Sequence, residues 1–323
     1  MSTLLLTNSA FSTVLPTMQL AWDSTSIGLL KECPRKYQLT MGSATTPGWS
    51  PRAESVHLRF GQEVHTARQL YDQSRANGES HDDALDRAVN HALCSTYDYD
   101  KMRPWFSDHR EKNRFTLLRT IVWYLDEYGP DDPLQTVTLA NGKPAVELSF
   151  RMQTDMTTPD GEPITLAGHM DRLAVLSSDQ RTYIADIKTT GSTISTDYFS
   201  KFSPDNQFSL YSFASKVVYS QPVAGLIVDA AQVSVTFSRF QRGLIPRHPA
   251  QLDEWYYDLG MWLASAHYYA KHNYWPMNDK SCNNYGGCPF RGICAHVPSI
   301  RDKWLQASFV HRTWDPLRAR GDV

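Results

Sequence analysis

The densest chemical signal in this chain is a carboxylate two residues from a lysine, in Tyr183-Ile184-Ala185-Asp186-Ile187-Lys188. The apolar run before it is strand-like, and strand alternation sends Asp186 and Lys188 to one face and Ile187 to the other. A carboxylate beside an ammonium at the exit of a strand can hold a divalent cation and a water together. A second carboxylate, Asp171 in Gly168-His169-Met170-Asp171-Arg172, lies one hairpin upstream and can meet Asp186 across the sheet. Two such groups supply the hard oxygen ligands that magnesium or manganese prefers. Alone, an Asp-x-Lys on a strand is an ordinary surface ion pair, so the rest of the chain has to decide.

Upstream, Gly61 and His65 stand one helical turn apart on one face. Glycine there lets another backbone or a substrate approach, and the imidazole can reach the sheet as a further metal ligand. Downstream, Gln207 and Tyr211 share a face of the helix after the Asp186 strand, where an amide and a phenol can both grip phosphate or sugar. Taken singly, each pair is also an ordinary helix face.

The cysteines form a second group. Cys282, Cys288 and Cys294 fall close together in a coil rich in Gly and Pro. Three thiols do not close a tetrahedral thiolate site, and Cys33, in Cys33-Pro34-Arg35-Lys36-Tyr37, is the natural fourth. Cys94 lies in a helical pattern beside Leu93 and reads as a buried small hydrophobe. Joining Cys33 to Cys282 closes a loop of about 250 residues; if the link acted like a disulfide it would stabilise the fold by on the order of 5 kcal/mol.

The elements that must position these residues follow from periodicity. Helical spacing covers 24–37 with Cys33 inside it, then 53–76, 82–97 and 110–128. The period changes near Pro144, where Val146, Leu148, Phe150 and Met152 alternate with polar residues as in a strand with one apolar face. Further strands are expected over 165–176 and 182–188, then a helix over 197–219, a strand over 226–237 and a helix over 251–272. From Trp275 on, the chain reads as irregular. A helix flanked by strands permits a crossover in a mixed sheet.

The succession Gly61-x-x-x-His65, Gly168-x-x-Asp171, Asp186-Ile187-Lys188 and Gln207-x-x-x-Tyr211 resembles the RecB-type branch of the PD-(D/E)XK nucleases, over about residues 24–297. The resemblance implies an α/β fold with a restriction-endonuclease-like core, a mixed central sheet flanked by helices. It places His65, Asp171 and Asp186 on a Mg²⁺ or Mn²⁺ ion, with the Ile187 carbonyl as an extra ligand. Lys188 would act on the attacking water, and Gln207 and Tyr211 would lie beside the site against DNA. Glu147, on the first strand, matches a glutamate often found there in the family; an exposed strand carboxylate is the plainer alternative.

The cysteines are similar to those of the iron–sulfur nucleases, including CRISPR-associated adaptation nucleases and AddAB-type helicase–nucleases. Those hold a 4Fe-4S cluster with one cysteine before the nuclease core and three after it. The gap from Cys282 to Cys288 is five residues here, where that arrangement usually has two, and zinc suits thiolates as well. These likenesses divide the chain into an extension (1–23), a helical region (24–143), a nuclease core (144–274), a cysteine segment (275–297) and a basic tail (298–323).

The implied activity is metal-dependent hydrolysis of DNA, as an exonuclease on single strands or duplex ends, in recombination, repair or replication. A non-catalytic DNA-binding scaffold and an RNA-processing nuclease are the alternatives. The sequence has 323 residues, 41% hydrophobic and 20% charged, enough for a packed core. Its net charge of −2 does not announce a nucleic-acid partner. Two stretches are locally basic, Arg103 to Arg119 (with Arg110, Lys112 and Arg114) and the tail with Arg301, Lys303, Arg312, Arg318 and Arg320. No nucleotide-binding Gly-rich loop occurs, so any helicase or recombination motor is a separate partner. The first residues lack a secretion leader and no run is long enough for a membrane span, which points to the cytoplasm and away from disulfides.

Overall fold

A computed structural model describes residues 9–218 and 223–318 of the chain. The predicted end of one helix at Tyr219, the first eight residues and Arg320 lie outside the described residues. The fold is mixed α/β, with a mixed sheet and packed helices. In chain order it begins with β1 (Ala21–Trp22), α1 (Ser24–Glu32), α2 (Pro34–Met41), β2 (Gly48–Pro51), α3 (Val56–Ala76) and α4 (His81–Ser95). A short hairpin, β3 (Tyr97–Asp98) and β4 (Arg103–Pro104), precedes α5 (Arg114–Tyr128) and β5 (Leu134–Thr136). The long strands β6 (Val146–Thr157), β7 (Pro163–Leu176) and β8 (Arg181–Thr190) follow. Then come α6 (Thr196–Ser200), α7 (Asn206–Val218), β9 (Val223–Val233), β10 (Ser238–Ile245) and α8 (Pro249–Lys271). The chain closes with α9 (Arg291–Ala295), α10 (Arg301–Ser308) and β11 (Phe309–Arg312).

Two compact units share these elements: 1–53, 149–168 and 249–323 form one, 54–148 and 169–248 the other. In the second, β8 pairs antiparallel with the later half of β7 and parallel with β9, which pairs antiparallel with β10. The parallel β8–β9 pair needs a crossover, and α6 and α7 provide it. Helices α3, α4 and α5 pack on the sheet through Phe60, Val64, Ala88, Leu117 and Ile121 against Ile187 and Val233, all buried. Ile187 is therefore a core residue on the face opposite Asp186 and Lys188, as alternation requires.

In the first unit, β1 pairs parallel with the start of β7 and β11 pairs antiparallel with β2. Tyr37 lies between Trp22 and Trp275, with ring centroids 5.3 and 5.0 Å away. Phe290 stacks on Phe309 at 4.8 Å beside Ile293 and Leu305.

Four expectations from periodicity need correction. The first helix breaks at Cys33, which is extended (φ −163°), because Pro34 disfavours the helical conformation in the residue before it. The helix expected over 197–219 is two helices separated by Pro204, which cannot continue the first. Strand β10 was missed because Arg239, Gln241, Arg242 and Gly243 leave it almost no apolar alternation. The segment after Trp275 also carries more structure than an irregular coil, namely α9, α10 and β11.

Candidate functional site

Strand β8 presents Asp186 fully buried and Lys188 partly exposed, with Lys188 Nζ 2.6 Å from Asp186 Oδ2. Asp186 Oδ2 nonetheless has no aligned hydrogen-bond donor, which leaves a buried oxygen with unused coordinating capacity. The last register pair between β7 and β8 is Arg172 with Ala185, so Asp171 comes one step before it, across from Asp186. Asp171 Oδ2 accepts from the Ile187 backbone N–H at 3.2 Å and lies 2.9 Å from His65 Nδ1.

Gly61, one turn before His65 on α3, lies against β8 with room for a small side chain. A Cβ there would meet Thr189 Oγ1 of β8 at 3.7 Å. Glu147 completes the group: ligand atoms of His65, Glu147 and Asp171 all lie within 4.8 Å of one another. Glu147 has φ +48°, an unfavourable backbone conformation for a residue with a side chain. Such strain is characteristic of sites where a side chain must be re-aimed. The sequence suggested Glu147 only through a family likeness; alternation made it a plain strand carboxylate.

The structure thus groups His65, Glu147 and Asp171, with Asp186 adjoining on a separate set of partners. Gln207 of α7 accepts from Lys188 Nζ at 3.0 Å and donates to Asp186 Oδ1 at 3.3 Å and to the Tyr211 hydroxyl at 2.8 Å. Gln207, half-buried, and Tyr211, buried, therefore sit directly against the Asp186–Lys188 pair.

Burial pushes the Asp186 carboxyl up to about 6, with Lys188 pulling it back and Asp171 adding to the rise. Burial would also lower the pKa of Lys188, but Asp186 and Asp171 outweigh it and raise the value, so the ammonium persists. Burial works against a charged His65 ring as well; Asp171 and Asp186 reverse this and raise its pKa. The same contact with His65 holds Asp171 below the usual carboxylate range against its burial.

A cavity of about 20 Å³ opens on His65, Glu147 and Asp171, with Arg68, Asp72 and Arg172 in its wall. That is room for a water-sized occupant. Behind it runs a buried ionic network. Arg68 bonds Asp72 at 2.9 Å and Asp132 at 3.0 Å, and Arg242 bonds Asp132 at 2.5 Å and Asp229 at 3.0 Å. Tyr124 donates to Asp229 at 2.6 Å. The donor set, one imidazole and several carboxylates around a small polar cavity, fits Mg²⁺ or Mn²⁺.

Cys33, Cys282, Cys288 and Cys294 lie in the other unit and Cys94 in the same one as the carboxylates; all five are free thiols. Cys33 and Cys282 act on Cys288, and Cys33 and Cys288 act on Cys294, so Cys33 and Cys288 are the members that connect the four. Burial pushes the Cys288 and Cys294 thiols up, while Lys36 pulls down on the first and Arg35 and Arg301 on the second. The Asn278 backbone N–H donates to Cys33 Sγ at 3.3 Å, a bond of the kind that stabilises ligating sulfur. Among the described residues no three of these thiols come within 4.8 Å of one another, a spacing wider than that of a closed zinc site. Cys94, expected to be buried, is exposed: it lies in the last turn of α4, where the core-facing positions are Ala84, Ala88 and Ala92.

Three residues of the basic stretches are tied into the fold, while Arg103, Arg110, Lys303, Arg312 and Arg318 are exposed. Arg119 donates to the carbonyls of Ser234, Val235 and Phe237, Arg114 to Thr96 and Leu93, and Arg301 to Cys294 and His296.

Residues 24–295 match the PD-(D/E)XK nuclease superfamily, and the chain belongs to that family. Among solved structures it is similar to a candidate exonuclease from Eubacterium rectale at 13% identity, covering 86% of this chain and 94% of that one with a TM-score of 0.47. A weaker likeness, to SSO0001, has 13% identity and a TM-score of 0.23 over 36% of this chain and 48% of that one. No curated protein matches the sequence. Among the described residues no helix is long and apolar enough to cross a membrane.

Proposed function

We propose that this nuclease is a divalent-metal-dependent deoxyribonuclease of the RecB-like branch, acting as an exonuclease on single strands or duplex ends. The observation that carries this reading is the convergence of His65, Glu147 and Asp171 beside the Asp186–Lys188–Gln207 chain. His65, Asp171 and Asp186, with Glu147 and the Ile187 carbonyl, would hold Mg²⁺ or Mn²⁺. A cation there would polarise a phosphoryl oxygen and make a nearby water more acidic.

The chain's own groups do the rest. Lys188 stays an ammonium, so it donates: it orients the attacking water or neutralises charge building on the phosphate. Gln207 fixes the position of that ammonium, and Tyr211 fixes Gln207. Three intact groups, Asp171, Asp186 and Lys188, would serve no purpose in a scaffold that only binds.

In the other unit, Cys33, Cys282, Cys288 and Cys294 would hold a 4Fe-4S cluster as a clip between the first and last segments of the chain, with no redox step required. DNA processing in recombination, repair or replication, alongside a separate helicase, follows from the same likeness.

The test is digestion of 5′- and 3′-labelled single- and double-stranded DNA, and of RNA of the same sequence. Cleavage from DNA ends is expected with Mg²⁺ or Mn²⁺ and none with EDTA or with Ca²⁺ alone. Full activity in chelator would overturn the metal reading, and preference for RNA would overturn the DNA reading.

A further inference from the structure

Lys112 is a buried cation that the chemistry above leaves unused. Its residue is 6% exposed, yet its Nζ has only Thr189 Oγ1, at 3.4 Å, and the Phe60 ring, 5.4 Å to the centroid. Among the described residues no carboxylate forms an ion pair with it, and burial alone lowers its pKa. A buried ammonium is normally paired. Two imidazoles, His57 and His109, lie beside it, and the neighbouring acid, Glu111, faces His109. His57 is held below its usual pKa by burial, then by Lys112 and His109. The two imidazoles meet edge to face at 4.9 Å. His109 Nδ1 accepts from the Lys112 backbone N–H at 3.1 Å and has Glu111 at 3.4 Å.

The place is as telling as the charge. Thr189 directly follows Lys188, and Phe60 and Gly61 lie four to five residues before His65 on α3. At 1.5 Å per residue this is about 6–8 Å along the helix. Lys112 also immediately precedes Asn113, the N-cap of α5, whose N-terminal dipole favours an anion nearby.

We propose that Lys112 and Thr189, with His57 at the rim, form a second anion site that binds a backbone phosphate of the substrate next to the scissile one. This rests on the nucleic-acid reading above. The phosphate would supply the countercharge that the protein withholds, and would fix the strand's register against His65 and Lys188.

The experiment measures binding of a fluorescent single-stranded oligonucleotide in EDTA, where no cleavage occurs, by wild type, Lys112→Gln and Lys112→Arg. Lys112→Gln should weaken binding about tenfold and reduce the slope of log K against log salt by about 0.7; Lys112→Arg should retain most of the affinity. Lys112→Gln should also melt no lower than wild type, because a buried unpaired charge has been removed. Oligonucleotides with one neutral methylphosphonate should reveal one linkage whose neutralisation weakens wild type but not Lys112→Gln. Equal affinity and salt slope for wild type and Lys112→Gln would overturn the inference and leave the nuclease reading standing. No binding of any oligonucleotide by wild type would overturn both.

Discussion

The two candidate centres are built in opposite ways. The carboxylate–lysine centre stands on long elements: Asp186 and Lys188 on β8, Asp171 on β7, His65 in the middle of α3. A hydrophobic cluster packs one side of that sheet, and the Arg68–Asp132–Arg242 network braces the cavity wall. The cysteine centre stands on breaks. Cys33 is the single extended residue between α1 and α2, and Cys282 and Cys288 flank short turns. The first centre is organised by the fold before any ligand arrives. The second lies where the first and last chain segments already meet through the β2–β11 pairing and the Tyr37–Trp275 contact, so its ligand would reinforce that junction.

This difference predicts where damage should fall. Lys188→Met should produce the largest effect, a loss of cleavage by about 10³-fold, if the ammonium acts on the reacting groups as proposed. Its circular dichroism should stay near wild type, and its melting should fall only above about pH 6, where the buried Asp186 carboxylate has lost its partner. Activity within a few-fold of wild type would remove Lys188 from the chemistry.

Cys33→Ser should act in reverse. Anaerobically purified wild type should be brown, with about four irons per chain. The variant should lose the colour and about 3–5 kcal/mol of stability, and lose activity only as far as it unfolds. Cys94→Ala should keep both colour and iron, since that thiol is exposed at the end of α4. A colourless wild type holding one zinc would replace the cluster and keep the clip. Retained iron in Cys282→Ala would show that the long gap to Cys288 excludes Cys282 from the ligand set.

Much of the first centre was legible because strand and helix periods translate directly into faces. Asp186 and Lys188 share a face by period two, Gly61 and His65 by one helical turn, and the structure keeps both relations. What the sequence could not show was which neighbours those faces would meet. Gln207 and Tyr211 do share a helix face, but it points into the Asp186–Lys188 pair. Glu147 converges on His65 through a positive φ that no side-chain pattern encodes. Two arginines of the basic stretch, Arg114 and Arg119, are occupied by backbone carbonyls, contacts set by tertiary folding, whereas Lys112 is buried without such a partner. In the second centre, Pro34 was the visible signal that Cys33 ends a helix, and the helical spacing around it masked that signal.

The smallest effect concerns the cost of organising the first centre in advance, and it has a pH signature. The Asp186 pKa rises from 3.8 to about 6 on folding, mainly through burial. A raised folded-state pKa means that its contribution to stability is fully present below 3.8 and is lost as pH rises through about 6. At pH 7.5 the metal-free protein therefore carries a buried carboxylate at an order-of-magnitude cost of about 2–3 kcal/mol. Asp186→Asn never ionises, so without metal it should melt a few degrees above wild type at pH 7.5, on the scale of about 2–4 °C per kcal/mol. The gap should close towards pH 4. Saturating Mn²⁺ should reverse the order, because only wild type retains that ligand and gains binding energy from the ion. Wild type melting above Asp186→Asn at pH 7.5 in EDTA would mean that Lys188 and Gln207 already satisfy the carboxylate, and that the centre is not held ready for a cation.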